Sequence, residues 1–587
     1  MTTATESAPK TSTATANPAA WGAALLAAAV AAVLALKIPP LAHPWPQNYD
    51  PTGHWLVSTL IAALPVVVLL GTLALLHMKA HYSALLGLAT SLLCAIWVFG
   101  MPASIAAKTA VLGAGYGLLP IGWIILNVIF LYQLTCEAGL FKVLQESLTG
   151  ITQDRRLQLL LIAFCFGAFF EGAAGFGTPV AVTAAVLIGL GFRPLQASGL
   201  SLIANTAPVA YGALGTPLVA LQGVTGLDLL SLSAQVGRIL PFFSILVPFW
   251  LVWAFAGFTG MLEVWPAVLV AGIFFAIPQY VMSNFHGPWL VDVVASVVSM
   301  LALIVFLLYW RPKRIWGFEH EGERDARGSH GHSRALVARA WVPWLVLSIL
   351  VFTWGLPSVK TKMDKLSAPK FPVVGLHQMV QRVPPVVRKP TAEGAVFAVN
   401  WISATGSGIL IAAVISGLIM GFTPWKMAQI YWKTIVRVRF SLLTIAAMLS
   451  LGFLTRYSGL DATMGLAFAR TGVLYPFFGT LLGWLGVALT GSDTSSNVLF
   501  GSLQRISAEQ IGVSANLMAA ANSCGGVMGK MIDAQSIVVA STATEWYGHE
   551  GDILRYVFFH SIALAALVGI MVTLQAYLFP FTRLVVR

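Results

Sequence analysis

Charged residues are scarce in this sequence. Only 10% of its 587 residues are Asp, Glu, Lys or Arg, whereas 58% are hydrophobic. Soluble domains carry roughly a quarter charged residues, so this chain has too little polar surface to cover a water-soluble globule. The composition excludes a soluble protein and predicts an all-α protein that crosses a bilayer many times.

Cysteines are also few, and the sequence motifs of metal sites and of ATP-driven transporters are missing. The four cysteines are isolated, so neither a disulfide framework nor a cysteine metal site is predicted. No P-loop is present, and transport driven directly by ATP is therefore unsupported. Histidines within residues 311–339 lie among acidic residues, where a solvated loop is a simpler interpretation than a metal site. No cofactor is expected.

The formal net charge of +12 does not indicate a nucleic-acid-binding protein. That function needs a clustered basic face on a soluble module. Many basic residues lie instead in two segments between apolar stretches, residues 311–339 and 360–389. Because basic residues flank membrane spans on the cytoplasmic side, we expect 311–339 to be a charged cytoplasmic loop. The basic loop 360–389 has no assigned role.

Long apolar stretches predict roughly 12 to 14 membrane elements. The clearest are residues 56–78, 84–101, 111–134, 239–258, 265–282, 290–310, 340–357, 402–421, 442–453, 473–490 and 558–579. Residues 1–18 predict a disordered tail, and residues 19–44 an extra apolar span rather than a signal peptide. The expected transporter halves are residues 45–310 and 340–587.

Two regions are rich in Gly, Ser, Thr, Asn and Pro at membrane depth. They are residues 157–217 and 483–546. Irregular backbone survives in a bilayer only where protein or a water-filled cavity satisfies its polar groups. We therefore expect a re-entrant hairpin and a broken helix in each region, inside the bundle.

The two regions also resemble each other in sequence. Residues 203–213 align with residues 520–530 at an offset of 317, and Gly167 aligns with Gly486 at an offset of 319. Paired, interrupted apolar stretches in two halves are typical of transporters whose site lies at the repeat interface. Convergent small-residue packing is the alternative, since Gly and Ala are common in membrane helices. The near-constant offset favours a repeat.

Glu171 lies in an otherwise apolar segment, residues 170–179, with three glycines and a proline. This composition fits the tip of a re-entrant hairpin. A carboxylate inside a membrane is costly, so it indicates a transport pathway or a proton site. The structural alternative is an ion pair with an arginine.

The most specific local pattern is the polar run of residues 490–497. It places seven hydroxyl, amide or carboxylate side chains around one glycine, and among them are Asp493, Thr494, Ser495, Ser496 and Asn497. Such a run can surround a carboxylate with hydroxyl groups and backbone N–H donors. The alternative is a surface loop with a helix N-cap at Ser492 or Asp493.

A further pair of polar stretches occupies matched positions of the two halves. Asn205 and Thr206 precede a proline in the first, and Asn522 and Ser523 precede two glycines in the second. Each pattern predicts a break in its helix, with side chains available to bind a substrate.

Lys530 follows the second stretch and is the cation best placed to attract an anion. Snorkelling to an interface is an equal alternative, and Asp533 is a candidate salt-bridge partner that would neutralise it. Tyr211 and Gln535 are weaker candidates for contacting a substrate hydroxyl.

Taken together, these motifs resemble the lactate permease family, which includes bacterial L-lactate and glycolate permeases. The matching segments are residues 45–51, 170–179, 205–210, 401–406 and 489–497. The resemblance implies proton symport of a 2-hydroxy monocarboxylate. It also implies a fold similar to the ion transporter superfamily, with inverted repeats, paired re-entrant hairpins and broken transmembrane helices. Residues before Trp45 lie outside it, and Asp533-Ala534-Gln535 stands where the family pattern has Ser-Pro-Gln.

The sequence thus predicts a proton-coupled lactate or glycolate symporter, multi-pass in the bacterial inner membrane. The expected substrate-binding residues are Asn205, Thr206, Thr494, Ser495, Ser496, Asn497, Asn522, Ser523, Lys530, Tyr211 and Gln535, with Glu171 and Asp493 for proton coupling. Expected partners are a small carboxylate, a proton and membrane lipid but no nucleic acid, and a homo-oligomer is left open.

Two alternatives remain at this stage. A sodium-coupled carrier of another small carboxylate would use the same Ser, Asn and carbonyl groups. A membrane-embedded enzyme would need a nucleophile and a base, and the two polar regions contain no histidine.

Overall fold

Helices form most of the regular structure in the described part of the chain. The computed structural model describes residues 43–586 except 75, 77, 150, 174, 176, 177, 318–332, 388, 547 and 548. The predicted tail of residues 1–18, nearly all of the predicted span 19–44 and most of the predicted loop 311–339 lie outside the described residues.

Apart from one short strand at its start, the regular structure described in the first half is helical. Its helices are α1 (Trp55–Ala74), α2 (Ala80–Leu93), α3 (Ala103–Tyr116), α4 (Trp123–Glu137), α5 (Leu140–Thr149), α6 (Arg155–Leu159), α7 (Gly167–Ala173), α8 (Thr178–Gly189), α9 (Pro194–Ala204), α10 (Gly212–Thr225), α11 (Leu229–Val236), α12 (Leu240–Glu263), α13 (Trp265–Phe285) and α14 (Val291–Tyr309). Wider π-helical turns connect some of them at Cys94–Val98, Gly117–Gly122 and Leu160–Phe166, and a 3₁₀ turn forms at Val209–Tyr211.

The second half repeats this helical character. Its helices are α15 (Arg334–Gly355), α16 (Pro357–Leu366), α17 (Thr405–Ile419), α18 (Pro424–Ser458), α19 (Leu460–Ala469), α20 (Tyr475–Thr490), α21 (Asp493–Ile511), α22 (Ala515–Gly529), α23 (Ala534–Ala543) and α24 (Glu550–Tyr577). The predicted apolar stretch 442–453 is the later part of α18, a helix of 35 residues.

Eleven helical stretches of the described residues are long and apolar enough to cross a bilayer. The apolar window of one, Arg155–Ala173, is completely buried in the protein, whereas the windows of Trp55–Thr72 and Arg334–Trp354 are 28% buried. Lipid can therefore contact the outer helices, while Arg155–Ala173 lies at the centre of the bundle. This central helix brings Glu171 into the interior.

Short strands form in the connection between α16 and α17, residues 367–404, which we call the loop cap. β2 (Lys370–Pro372) pairs antiparallel with β5 (Val396–Ala398). β3 (Val380–Arg382) pairs antiparallel with β4 (Thr391–Ala392) and parallel with β1 (Trp45–Pro46). The basic segment 360–389 is thus a short helix followed by part of a folded cap, not an open loop.

The loop cap is fastened to the end of α18 by buried polar contacts. Gln47 donates to the carbonyl oxygens of Arg456 (2.9 Å) and Tyr457 (2.8 Å). Glu393 pairs with Arg456 (3.1 Å) and, still more closely, with Arg382. Burial alone would raise the pKa of Glu393, but the two guanidinium groups outweigh it and hold the pKa below its usual value.

Replacing Glu393 with glutamine is expected to destabilise the protein by about 3–5 kcal/mol near neutral pH, because two buried arginines lose their counter-charge. The carboxylate stabilises the fold fully above its unfolded pKa of about 4.3, and this stabilisation disappears as pH falls through the lower folded pKa. Melting temperatures of wild type and Glu393→Gln in detergent should therefore differ at neutral pH and converge in acid. A pH-independent difference would contradict this account.

Glu509→Gln is the matched control for that experiment. Glu509 pairs with Arg505 at the more exposed surface of α21, four residues away. Such pairs contribute only about 0.3–0.5 kcal/mol, so this variant should melt within a degree or two of wild type.

Candidate functional site

The polar run of residues 490–497 forms the end of α20 and the start of α21. α20 ends at Gly491, whose φ of +73° is a left-handed conformation that favours glycine. Ser492 is the N-cap of α21, where its hydroxyl accepts a hydrogen bond from the Ser495 N–H (3.3 Å). The cap predicted at Ser492 or Asp493 is thus at Ser492. Because Asp493 is buried, this turn belongs to the interior and not to a surface loop.

The start of α21 presents hydrogen-bond donors that the described chain leaves unused. The N–H groups of Asp493 and Thr494 belong to the first helical turn, where amides have no partner within the helix. Among the described residues, the hydroxyls of Thr494 and Ser495 have no hydrogen-bond partner. The Ser496 hydroxyl instead donates to the Gly483 carbonyl (3.1 Å). The unused donors can receive an anion, as helix N-termini commonly do.

A buried network of polar side chains joins α21 to α22. Asn522 donates to the Asn497 Oδ1 (3.0 Å) and accepts from the Gln504 Nε2 (3.2 Å). Asn497 donates to the Asp493 Oδ2 (3.1 Å), which also accepts from the Ser523 hydroxyl (2.5 Å). All five side chains are buried. Hydrogen bonds in such surroundings are strong, so the network fixes the position of each group.

Glycines let α20 and α22 approach each other closely. A Cβ at Gly525 would collide with the Thr480 carbonyl oxygen, and a Cβ at Gly483 would collide with the Asn522 carbonyl oxygen. Close contacts between small residues are typical of helix pairs in membranes. The predicted break around Asn522 is therefore wrong. α22 runs through this segment without interruption, because its glycines serve packing and not a kink.

The chain breaks instead directly after α22. The Lys530 ammonium donates to the Gly491 carbonyl oxygen (2.6 Å) and pairs with Asp533 (3.2 Å). Asp533 also caps α23, since its carboxylate accepts from the Ser536 N–H (2.7 Å). An ammonium group has three donors, so one remains for an anion beside the start of α21. Gln535 is an exposed side chain next to Gly491.

The corresponding stretch of the first half is broken, as predicted. α9 ends with Asn205 as its C-cap, and a 3₁₀ turn leads to α10. Ala213 and Leu214 at the start of α10 have φ of 43° and 55°, and Gly215 continues this left-handed turn at 77°. Left-handed backbone at two adjacent non-glycine residues is strained, and such strain clusters at functional sites.

The predicted side chains of the first half differ in availability. The Thr206 hydroxyl donates to the Ile203 carbonyl (2.8 Å), and the Tyr211 hydroxyl donates to the Ser233 carbonyl (2.8 Å). Asn205 is 2% exposed, and its amide faces the Glu171 carboxyl but makes no close, well-aligned hydrogen bond among the described residues. Asn205 is therefore the predicted side chain of this stretch that has hydrogen-bonding capacity to spare.

The two polar stretches meet inside the bundle. Asn497 Nδ2 donates to the Pro217 carbonyl oxygen in α10 (3.3 Å). The buried Glu171 carboxyl packs against Gly212, where a Cβ would collide with it, and it interacts electrostatically with Lys530. Side chains from both predicted regions therefore share one polar interior.

Sequence reasoning missed two buried groups of this interior. Gln504 donates to the Gly479 carbonyl (2.5 Å) as well as to Asn522. Asp292 lies in the first turn of α14 and is buried. A carboxylate within the apolar stretch 290–310 was the signal for Asp292, because an intramembrane charge indicates function. Gln504 gave no comparable signal, because its helix contains many other polar residues and one more glutamine does not stand out in the sequence.

A cavity of about 390 Å³ lies between α10, α18 and the loop cap. Its lining includes Gln222, Asn400, Arg456 and Tyr457. Val219 also lines it and lies two residues after Pro217, so the cavity approaches the polar interior along α10. Among the described residues, no three His, Cys, Asp or Glu side chains are grouped to hold a metal ion.

Residues 58–579 match the family model described as L-lactate permease. Glycolate permease GlcA of Escherichia coli K12 is 46% identical over 91% of this chain and 98% of its own length. The L-lactate permeases of Escherichia coli K12 and Bacillus subtilis 168 are 45% and 43% identical, over 91% and 92% of this chain and 98% and 99% of theirs.

Two solved transporter structures are more distant. Neisseria gonorrhoeae MtrF is 12% identical, with a TM-score of 0.42 over 79% of this chain and 82% of its own. Alcanivorax borkumensis YdaH is 14% identical, with a TM-score of 0.32 over 73% and 86%. By the family match and the three permease relatives, the chain belongs to the L-lactate permease family and is a multi-pass transporter of the bacterial inner membrane, not an enzyme.

Proposed function

We propose that this protein carries a 2-hydroxy monocarboxylate, such as lactate or glycolate, across the inner membrane together with a proton. The unused donors at the start of α21, beside the Lys530 ammonium, are the observation on which the proposal rests. A carboxylate in a water-poor interior needs such donors, because an unpaired buried charge is very costly. The names of the permease relatives support the choice of lactate and glycolate.

In this proposal the carboxylate accepts hydrogen bonds from the start of α21 and from Lys530. The hydroxyls of Thr494 and Ser495 face it, while the network around Asn522 holds α21 in position. The full set of proposed substrate-site residues is Asn205, Thr206, Tyr211, Thr494, Ser495, Ser496, Asn497, Asn522, Ser523, Lys530 and Gln535. Thr206 and Tyr211 act by shaping the first-half turn, since their hydroxyls already bind carbonyl groups.

A proton makes the movement of the anion independent of the membrane potential. Moving one uncompensated negative charge against an inside-negative potential costs about 2.3 kcal/mol per 100 mV, and a co-transported proton removes this cost. Glu171 and Asp493 are the proposed proton-coupling carboxylates, because both are buried beside the anion site.

The proposed architecture consists of two halves, residues 45–310 and 340–587, related as inverted repeats. The turn between α7 and α8, and the break between α20 and α21, are then the tips of paired re-entrant hairpins. The left-handed residues Gly175 and Gly491 at these two turns support this correspondence. Residues 1–18 as a tail and 19–44 as an extra span remain part of the proposal, as does a homo-oligomer.

Uptake by purified protein in proteoliposomes tests the function. When the pH outside the vesicles is one unit below the pH inside, L-lactate should accumulate inside by about tenfold if one proton accompanies each anion. A protonophore should abolish accumulation, and glycolate should compete more strongly than acetate, which lacks the hydroxyl. Accumulation driven by a sodium gradient at equal pH would contradict proton coupling and favour the sodium-coupled alternative.

A further inference from the structure

A second buried carboxylate lies beside Glu171. Asp292 is 1% exposed, and neither of its carboxylate oxygens has a hydrogen-bond partner in the described chain. α7 packs along α14, and a Cβ at Gly172 would lie only 2.7 Å from the Asp292 Cβ. Glu171 directly precedes Gly172, and its carboxyl group interacts electrostatically with that of Asp292 in the interior.

The surroundings of this pair contain further unused hydrogen-bonding atoms. Among the described residues, Glu171 Oε2 and the Asn205 amide make no close, well-aligned hydrogen bond, although the amide faces the Glu171 carboxyl. Buried polar atoms are nearly always paired, so this concentration of unpaired atoms needs an explanation. Asp493 differs from Asp292, because only its Oδ1 lacks a partner among the described residues, while its Oδ2 accepts hydrogen bonds from both Ser523 and Asn497.

Among the residues that the structure describes, Lys530 is the cation that interacts with this group of acids. The ionisable groups that interact with Glu171 or Asp292 are Lys530, Asp533, Asp493 and Tyr211. Lys530 is already shared with Asp533 and the Gly491 carbonyl. Two neighbouring carboxylates with so little compensation cannot both be ionised without a large electrostatic cost, whereas one proton between them removes it.

We propose that Asp292 and Glu171 form a single proton-binding pair that takes up the co-transported proton. This inference rests on the proposed proton symport and narrows it: the proton is assigned to Glu171 together with Asp292, and Asp493, named above as a second proton-coupling carboxylate, positions α21 instead. The pair binds one proton from the outer solution and releases the same proton inside. The Asn205 amide faces the Glu171 carboxyl and can donate a hydrogen bond to it when it is ionised.

Asp292→Asn tests the pair, with Ser296→Ala as its matched control. Ser296 is buried one turn further along α14 and donates to the Val293 carbonyl of its own helix. Both variants are reconstituted and measured in two assays: accumulation driven by a pH gradient, which needs net proton movement, and lactate counterflow at equal pH, which does not. Asp292→Asn should lose nearly all of the roughly tenfold accumulation that one pH unit supports, while counterflow continues. Ser296→Ala should perform as wild type in both.

The outcomes separate the pair from the proposed function. Wild type that fails to respond to a pH gradient refutes proton symport itself. If wild type responds and folded Asp292→Asn accumulates lactate equally well, the pair is refuted while symport stands. If monodisperse Asp292→Asn loses both counterflow and pH-driven accumulation, the residue has a structural role and the pair is again refuted.

If Asp292→Asn does not fold, Asp292→Glu replaces it. The retained carboxyl predicts pH-driven accumulation with an altered pH midpoint, and an unaltered midpoint is evidence against the pair.

Discussion

Replacement of Asn522 with alanine is expected to reduce lactate uptake by about 100-fold. The change removes the hydrogen bonds to Asn497 and Gln504. The buried Asn497 Oδ1 is then left without a partner among the described residues, and the Gln504 amide keeps the Gly479 carbonyl as its acceptor. Unpaired buried polar groups cost about 1–3 kcal/mol each, and a loss of about 3 kcal/mol corresponds to roughly 100-fold. The start of α21, which this network positions, would no longer be held against the substrate.

Initial rates of L-lactate uptake in proteoliposomes measure this effect. Asn516→Ala is the matched control, because Asn516 lies earlier in the same helix and is only half-buried. The control should retain the wild-type uptake rate when equal amounts of the two proteins are reconstituted. Equal uptake by Asn522→Ala and Asn516→Ala would show that the buried network does not support transport.

The second large effect is expected from Gly483→Ala. A single methyl group there would collide with the Asn522 carbonyl oxygen, a backbone atom that cannot move alone. α20 and α22 would have to separate, at a cost of about 1–3 kcal/mol or more for overpacking, and the network on α22 would shift with them. We expect transport to be abolished and the melting temperature in detergent to fall by several degrees.

Gly71→Ala provides the comparison for this substitution. Gly71 lies within α1, and no atom comes within 4 Å of a Cβ placed there. Alanine in a helix interior is favoured over glycine by about 0.5–1 kcal/mol, so this variant should be as stable as wild type or more so. A normal transport rate in Gly483→Ala would mean that the close helix approach is not needed.

The length and low charge of the apolar stretches were enough to predict most membrane helices, because hydrophobic stretches in lipid have few structural choices. The polar run of residues 490–497 was also informative. A glycine followed by Ser492 predicts a helix end and an N-cap from local chemistry alone, and both are present.

The predicted break around Asn522 failed for an identifiable reason. Two adjacent glycines suit a kink and a close helix contact equally well, and only the position of α20 decides between them. Asp292 was missed because one carboxylate hardly changes the hydropathy of α14, and its meaning depends on Glu171 being next to it. Both cases depend on contacts between residues far apart in the chain.

The departure from the family pattern at Asp533 has a physical explanation. The side chain at this position caps α23, and serine and aspartate are both good N-cap residues. Aspartate retains the cap and adds a partner for Lys530. The ion pair lowers the net charge beside the proposed anion site and holds the ammonium against the Gly491 carbonyl.

The central claim is that the anion binds where the break before α21 meets Lys530, inside the bundle. A cryo-EM structure of the protein saturated with L-lactate tests it most directly. The account predicts density for the hydroxy acid within hydrogen-bonding distance of the Ser495 hydroxyl and the Lys530 ammonium. Lactate density confined to the cavity beside Arg456, with the start of α21 left empty, would contradict it.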